Sequence, residues 1–259
     1  PLGPILRRAG GFFIRRSFRG DKLYSATVEA YVRRLMRVGY TLELFLEGGR
    51  SRTGKLLTPK FGLLGMLVDA ALGVTGREVY FVPISIGYER IVETGAYGKE
   101  MSGAEKEKED AAGLFKSTAV LRHRYGRINV EIGQPLALRE VKREVGVAAD
   151  AEPSPAKRRA IVVRLANRTM DEINRVTAVT PGALAALALL CAEARLVTHE
   201  ELLVLCARLL DSLRASGARI TPRTVASKGE LRPEAIREAA QMFLEAELLE
   251  AHGTGGARA

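Results

Sequence analysis

Two hydrophobic rhythms divide this chain. Up to about residue 135, apolar residues come in short blocks broken by glycine, proline and charge; from residue 156 they recur at three- and four-residue intervals. Short apolar runs bounded by turn residues predict strands, and the longer interval predicts helices with one buried face. Residues 1–11 predict a short helix before Gly10-Gly11, and residues 11–16 a strand built on Phe12, Phe13 and Ile14. Residues 21–39 predict an amphipathic helix through Leu23, Val28, Tyr31, Val32 and Leu35. Residues 41–46 predict a buried strand and 61–72 a helix. Residues 79–86 predict a strand interrupted by Pro83, a position suited to an edge or bulge. Residues 114–121 predict a helix, 127–132 a strand ending at Gly133-Gln134-Pro135, and 138–147 a short helix. Strands alternating with helices imply an α/β domain with a mixed or mostly parallel sheet.

The second half is helical in pattern. A polar linker at 150–154 precedes helices expected at 157–176, 181–194, 199–216 and 233–249. Thr180 before Pro181 forms a helix start, and Thr198 with Glu201 has capping-box spacing. Residues 183–192 are nearly all apolar but too few to span a bilayer, which takes about 18. The expected division is a domain at 1–137, a linker at 138–155, a helical region at 156–251 and a disordered tail at 252–259.

Composition narrows the class. With 47% hydrophobic and 27% charged residues over 259 positions, the chain has the make-up of a globular protein able to bury a core. A formal net charge of +10 favours polyanions or anionic surfaces. The excess is concentrated early: Arg7, Arg8, Arg15, Arg16, Arg19, Lys22, Arg33, Arg34 and Arg37 face only Asp21 and Glu29. Cys191 and Cys206, both in apolar helical stretches, read as buried thiols rather than a disulfide framework or metal site. No helix carries the Arg, Asn and Gln cluster that base-edge recognition requires, so no nucleic acid is expected.

The chemistry concentrates where the predicted strand at 41–46 ends. Glu47, Gly48-Gly49, Arg50, Ser51, Arg52, Lys55 and Lys60 put a carboxylate, a hydroxyl and several cations into one glycine-containing loop, the composition of an anion site. Residues 49–55 also fit the G-x-x-x-x-G-K spacing of a nucleotide-binding P-loop. However, Leu56 stands where Ser or Thr would hold magnesium, and Thr58-Pro59 disfavours the helix that should begin there.

Phe45-Leu46-Glu47-Gly48-Gly49-Arg50-Ser51 resembles the F-x-E-G-x-R-S block of the glycerolipid acyltransferases. Gly10-Gly11-Phe12-Phe13-Ile14-Arg15-Arg16 resembles their G-x-I-F-I-x-R block, and Val82-Pro83-Ile84 the short V-P-I block, in the family's order. The longer run FLEGGRSRTGKLLTPKFGLL is similar to the bacterial glycerol-3-phosphate acyltransferases and their relatives acting on dihydroxyacetone phosphate. Gly133-Gln134-Pro135 resembles the strand end common in these enzymes.

The resemblance implies a glycerolipid-acyltransferase-like mixed sheet flanked by helices, followed by an all-helical C-terminal extension. It implies transfer of an acyl group from acyl-CoA or acyl carrier protein, as co-substrate, to the sn-1 hydroxyl of glycerol 3-phosphate in phospholipid synthesis. Arg16 and Arg50 would clamp the phosphate, Glu47 would meet the glycerol hydroxyls or fix the arginines, and Gly48 and Gly49 would admit backbone N–H groups. Ser51 would be a further donor. Arg15, Lys55 and Lys60 would steer substrate or touch headgroups, and Val82, Pro83 and Ile84 would line the acyl path.

No metal or further cofactor is called for. The family's general base lies in a His-x-x-x-x-Asp block upstream of these motifs; His123, His199 and His252 do not match it. The expectation is a chain cut before that block, holding substrate but inactive alone, peripheral at the cytoplasmic face of the inner membrane. A dihydroxyacetone-phosphate acyltransferase and a non-catalytic basic fragment binding lipid or nucleic acid are the alternatives.

Overall fold

Asp21 starts the first long helix. Its Oδ1 accepts the Tyr24 N–H at 2.9 Å, satisfying one of the donors that a helix start leaves open, and Gly39, at φ 100°, closes the other end. The computed structural model describes residues 3–15, 18, 20–49, 51, 54–88, 127–194 and 196–252. These form helices α1 (Gly3–Arg8), α2 (Lys22–Val38), α3 (Phe61–Leu72), α4 (Leu138–Glu144), α5 (Pro155–Val176), α6 (Pro181–Cys191), α7 (His199–Ala215) and α8 (Pro233–Glu245). The strands are β1 (Tyr80–Phe81), β2 (Ile84–Tyr88), β3 (Ile128–Ile132), β4 (Leu136–Ala137), β5 (Ala178–Val179) and β6 (Arg219–Ile220). The helix expected at 114–121 lies outside the described residues.

The chain divides into two compact units, Pro1–Val82 with Pro135–Asp171, and Pro83–Gln134 with Glu172–Ala259. They interleave along the sequence. Of the three changeovers, two fall at a proline, Pro83 and Pro135, and the third at Glu172 within α5.

In the first unit, α2 and α3 pack through Val28, Val32, Leu67 and Ala70, with Leu42, Leu44 and Met66 against them. Val68 and Ala71 of α3, Val141 of α4 and Ile161, Leu165 and Ala166 of α5 are also buried. Ion pairs fasten α5: Arg158 reaches Asp69 at 3.3 Å, and Arg164 and Arg168 both hold Glu144, the former at 2.5 Å. β1 and β4 pair antiparallel, Tyr80 opposite Ala137 and Phe81 opposite Leu136.

In the second unit, β2 and β3 form an antiparallel ribbon, with Ile84 opposite Ile132 and Tyr88 opposite Ile128. One face of the ribbon carries Ser85, Gly87, Asn129 and Glu131. Ser85 Oγ lies 2.8 Å from Thr177 Oγ1, and Glu131 accepts from Arg219 at 2.8 Å. The other face carries Ile84, Ile86, Tyr88, Ile128, Val130 and Ile132, and all six are exposed. Below the short parallel pair of β5 and β6, α6, α7 and α8 enclose Leu184, Ala185, Ala188, Leu202, Cys206, Leu210, Ile236 and Ala239. Thr180 caps α6, and the Thr198–Glu201 capping box forms in full. Cys206 is buried, and loss of hydration pushes its thiol up to about 11, so it stays protonated.

Three expectations are corrected. Residues 11–15 and 41–46 have no ladder among the described residues, because a strand needs a paired neighbour to satisfy its backbone. The α/β class and the helical C-terminal region are as expected, and among the described residues the sheet pairings are short, two strands each. The strand at 79–86 splits at Pro83, and its halves pair with different partners. Cys191 is exposed, since α6 ends on it. Helix ends also shift inward: α8 stops at Glu245, where Glu247 takes φ 56° and the Leu248 N–H bonds back to Phe243.

The turn at Gly133-Gln134 is held from α5. Glu172 Oε1 accepts the Gln134 N–H at 2.6 Å, while Arg175 grips both carboxylate oxygens at 2.6 and 2.7 Å. The hydrogen bonds from Arg175 first, and from Gln134 second, hold the Glu172 carboxyl down at about 2 from 4.5. A depressed folded-state value stabilises the fold above the unfolded one and loses that contribution as pH falls from 4.5 towards 2. Thermal melts across this window should show a steeper fall in Tm for the unaltered chain than for Glu172→Gln; parallel curves would show that the clamp contributes nothing. Gly133 is wedged against the same side chain: an added Cβ would lie 2.6 Å from Glu172 Cγ and 3.2 Å from Pro83 Cβ. Gly133→Ala should lower Tm at neutral pH, more than the same change at Gly62, where nothing lies within 4 Å. In the bundle, Leu210→Ala should cost about 2–5 kcal/mol in a denaturant melt.

Candidate functional site

The loop leading into α3 is closed at its base by the backbone. The Lys60 N–H donates to the Leu46 carbonyl at 2.7 Å, and the Gly48 N–H turns back to Phe45 at 3.3 Å. Gly48 sits at φ 61°, which disfavours any side chain. Its α-carbon also faces Lys60 closely enough that an added Cβ would come 3.0 Å from Lys60 Cγ. Gly49 has nothing within 4 Å of where a Cβ would stand, so its backbone is open to a ligand.

Glu47 fastens the loop a second time, its Oε2 accepting the Leu57 N–H at 2.7 Å. One of its oxygens is therefore spent on the fold, a role the sequence pattern did not single out. Ser51 Oγ is buried with no hydrogen-bond partner. A hydroxyl removed from water without a partner is costly, and a bound anion would satisfy it. Lys55 lies on the exposed outer part of the loop and Lys60 at its closing end, as the residue before α3. No helix follows Lys55 until Phe61, so the P-loop geometry is absent.

The remaining expected residues are distributed differently. Arg16 and Arg50 lie outside the described residues; Arg50 is joined to Gly49 and Ser51 by the chain itself. Arg15 is committed locally: it pairs with Asp21 at 2.7 Å, its guanidinium lies 4.4 Å from the Tyr24 ring, and its N–H bonds the Tyr24 hydroxyl. Val82 is exposed on the first unit, whereas Pro83 and Ile84 begin the second.

His123 lies outside the described residues. His199 Nε2 is buried without a partner, and His252 stands 3.8 Å from Glu250, beyond hydrogen-bond range. Neither has the bonded carboxylate that orients a general base. Among the described residues there is no group of side chains that could hold a metal ion, and no helix is long and apolar enough to cross a membrane.

Residues 97–257 match the model of the glycerol-3-phosphate acyltransferase C-terminal region, and residues 1–87 match the acyltransferase model. A glycerol-3-phosphate acyltransferase of Shewanella loihica is 40% identical over 208 residues, 78% of this chain and 26% of that protein. One from Xylella fastidiosa strain M23 is 41% identical over 233 residues, 86% of this chain and 27% of its own length. One from Xanthomonas campestris pv. campestris is 40% identical over 235 residues, covering 87% and 26%. The chain thus spans about a quarter of the length of these curated relatives. Family models cover both the loop block and the helical region, and the chain belongs to the glycerol-3-phosphate acyltransferase family.

Proposed function

We propose that this chain carries the glycerol-phosphate-holding loop of an enzyme that transfers a fatty acyl group from an acyl thioester to the sn-1 hydroxyl of glycerol 3-phosphate. The observation that carries this is the doubly closed loop, in which Ser51 Oγ is buried without a partner beside the open backbone of Gly49. The family membership of the chain and the names of its relatives support the same substrate.

In the reaction, the glycerol oxygen forms a bond to the thioester carbonyl carbon, the carbon–sulfur bond breaks, and the hydroxyl proton ends on the departing thiol. A free hydroxyl is a weak nucleophile, so a positioned base must take that proton as the bond forms. His199 and His252 lack the geometry for it, and no histidine of this sequence heads the His-x-x-x-x-Asp block in which the family's base lies. This chain's part is to hold the phosphate. Arg50, on the loop between Gly49 and Ser51, supplies a guanidinium fork that matches two phosphate oxygens, with Arg16 as its partner and Ser51 and the Gly48–Gly49 backbone as further donors. Glu47 keeps the loop shut and leaves one oxygen for a glycerol hydroxyl. Lys55 and Lys60 add attraction; Val82, Pro83 and Ile84 belong to the acyl path. The acyl carrier is coenzyme A or acyl carrier protein, and the basic surface suits a peripheral place on an anionic membrane face.

Two measurements test the assignment. Calorimetric titration of the whole chain with glycerol 3-phosphate should show saturable binding that weakens roughly ten- to a hundredfold in Arg50→Ala, the value of one lost charge-assisted contact; equal affinity would remove the phosphate clamp from this loop. Glu47→Ala should raise amide hydrogen exchange at Leu57 and weaken the same binding, whereas unchanged exchange would show that the loop is closed by other means.

A further inference from the structure

A second cationic recess lies in the first unit, at the opposite end of α3 from the loop. α3 has twelve residues, so its ends are about 18 Å apart at 1.5 Å per residue. The recess has a volume of about 780 Å³ and opens between the last turns of α2, the segment after α3, α4 and residues 149–153. That is within the size range of small-molecule sites.

Six cations line it, Arg33, Arg37, Arg77, Arg139, Lys142 and Arg158, against the carboxylates of Asp69, Glu78, Asp150 and Glu152. Three of the four carboxylates are spent: Glu78 on Arg139 at 3.2 Å, and Asp69 and Glu152 on Arg158 at 3.3 and 2.6 Å. Arg33 is held by Glu29 at 2.5 Å, yet its Nε is buried and unpartnered.

Three cations have no carboxylate partner among the described residues. Arg77 donates to the carbonyls of Met36, at 2.9 Å, and Arg37, covering the exposed C-terminus of α2. It can lie there because Gly39 has no side chain; an added Cβ would stand 2.9 Å from its Nη1. Lys142 is 8% exposed, and among the described residues its ammonium bonds only the Ala149 carbonyl. The guanidinium of Arg37 has no partner among the described residues. A buried ammonium with only a neutral acceptor retains much of its desolvation cost, and that cost is offset when an anion enters the recess.

We infer that this recess binds a small molecule through a diphosphate or phosphomonoester group, contacted by Arg37, Arg77 and Lys142. A tetrahedral, multiply charged oxyanion accepts from guanidinium and ammonium donors on several sides at once, which a planar carboxylate does not. The remaining volume takes the organic part of the ligand. The site is independent of the glycerol-phosphate loop.

Inorganic pyrophosphate is the probe, titrated calorimetrically into the full chain and into Arg50→Ala, whose loop clamp is removed. Saturable binding should persist in Arg50→Ala and weaken about tenfold when Arg37→Ala is added. Arg37 is exposed and its side chain bonds nothing among the described residues, so this change leaves the fold intact. Lys142→Met should weaken binding as well, with circular dichroism confirming that the chain is folded. No saturable binding to either chain, collapse in Arg50→Ala alone, or equal affinity after Arg37→Ala would each overturn the assignment.

Discussion

A proline in the middle of a strand cannot donate to a ladder, and much of this structure follows from that at Pro83. Upstream, Tyr80 and Phe81 pair with Leu136 and Ala137; downstream, the five residues from Ile84 pair with β3. The Pro83 carbonyl still accepts, taking the Gly133 N–H at 2.8 Å, and the turn at Gly133 is pinned by Glu172. Two short ladders therefore replace one longer strand, and the boundary between compact units falls at the same residue. Gly133 is the only residue type that fits between Glu172 and Pro83, so the turn and the helix that holds it specify each other.

Backbone economy also shapes the candidate loop. Its base is shut by main-chain bonds and one carboxylate, which tie Lys60 to Leu46 and Leu57 to Glu47. Phe45, just before the loop, is 71% exposed, so burial contributes little there. Closure by Glu47 has a consequence for binding: an acidic group stays within a loop that gathers cations, held in place by the Leu57 amide. The charge balance of the loop is thus set by the same bond that sets its shape.

Charge elsewhere in the first unit serves two purposes. Arg158, Arg164 and Arg168 fasten α5 to its neighbours through Asp69, Glu152 and Glu144, an arrangement that uses their charge internally. Exposed pairs of this kind contribute about 0–1 kcal/mol each, so their value lies in geometry. Arg37, Arg77 and Lys142 have no such carboxylate among the described residues, and the difference between the two sets is visible only once α2, α4 and the 149–153 segment are assembled.

Helices were legible from sequence because their signals are local. Asp21, Gly39, Thr180-Pro181 and the Thr198–Glu201 pair each satisfy orphan backbone groups within a few residues of themselves, and both ends of α2 and the start of α7 fall within a residue or two of where those signals put them. The motif at residues 45–51 was equally legible, and the family with it. Strands were not, because a strand is completed by a partner that pattern cannot name: residues 11–15 and 41–46 have strand composition and no ladder among the described residues, and 79–86 serves two. Nor does any local pattern reveal that Glu47 bonds Leu57, that Glu172 grips Gln134, or that cations from α2, α4 and the segment after α3 share one recess. The sequence by itself determined the helices, their caps and the composition of the loop, because those depend on neighbours along the chain. Which strands pair, which carboxylates are spent and which cations remain available were decided by the tertiary structure, because each depends on groups brought together from distant positions.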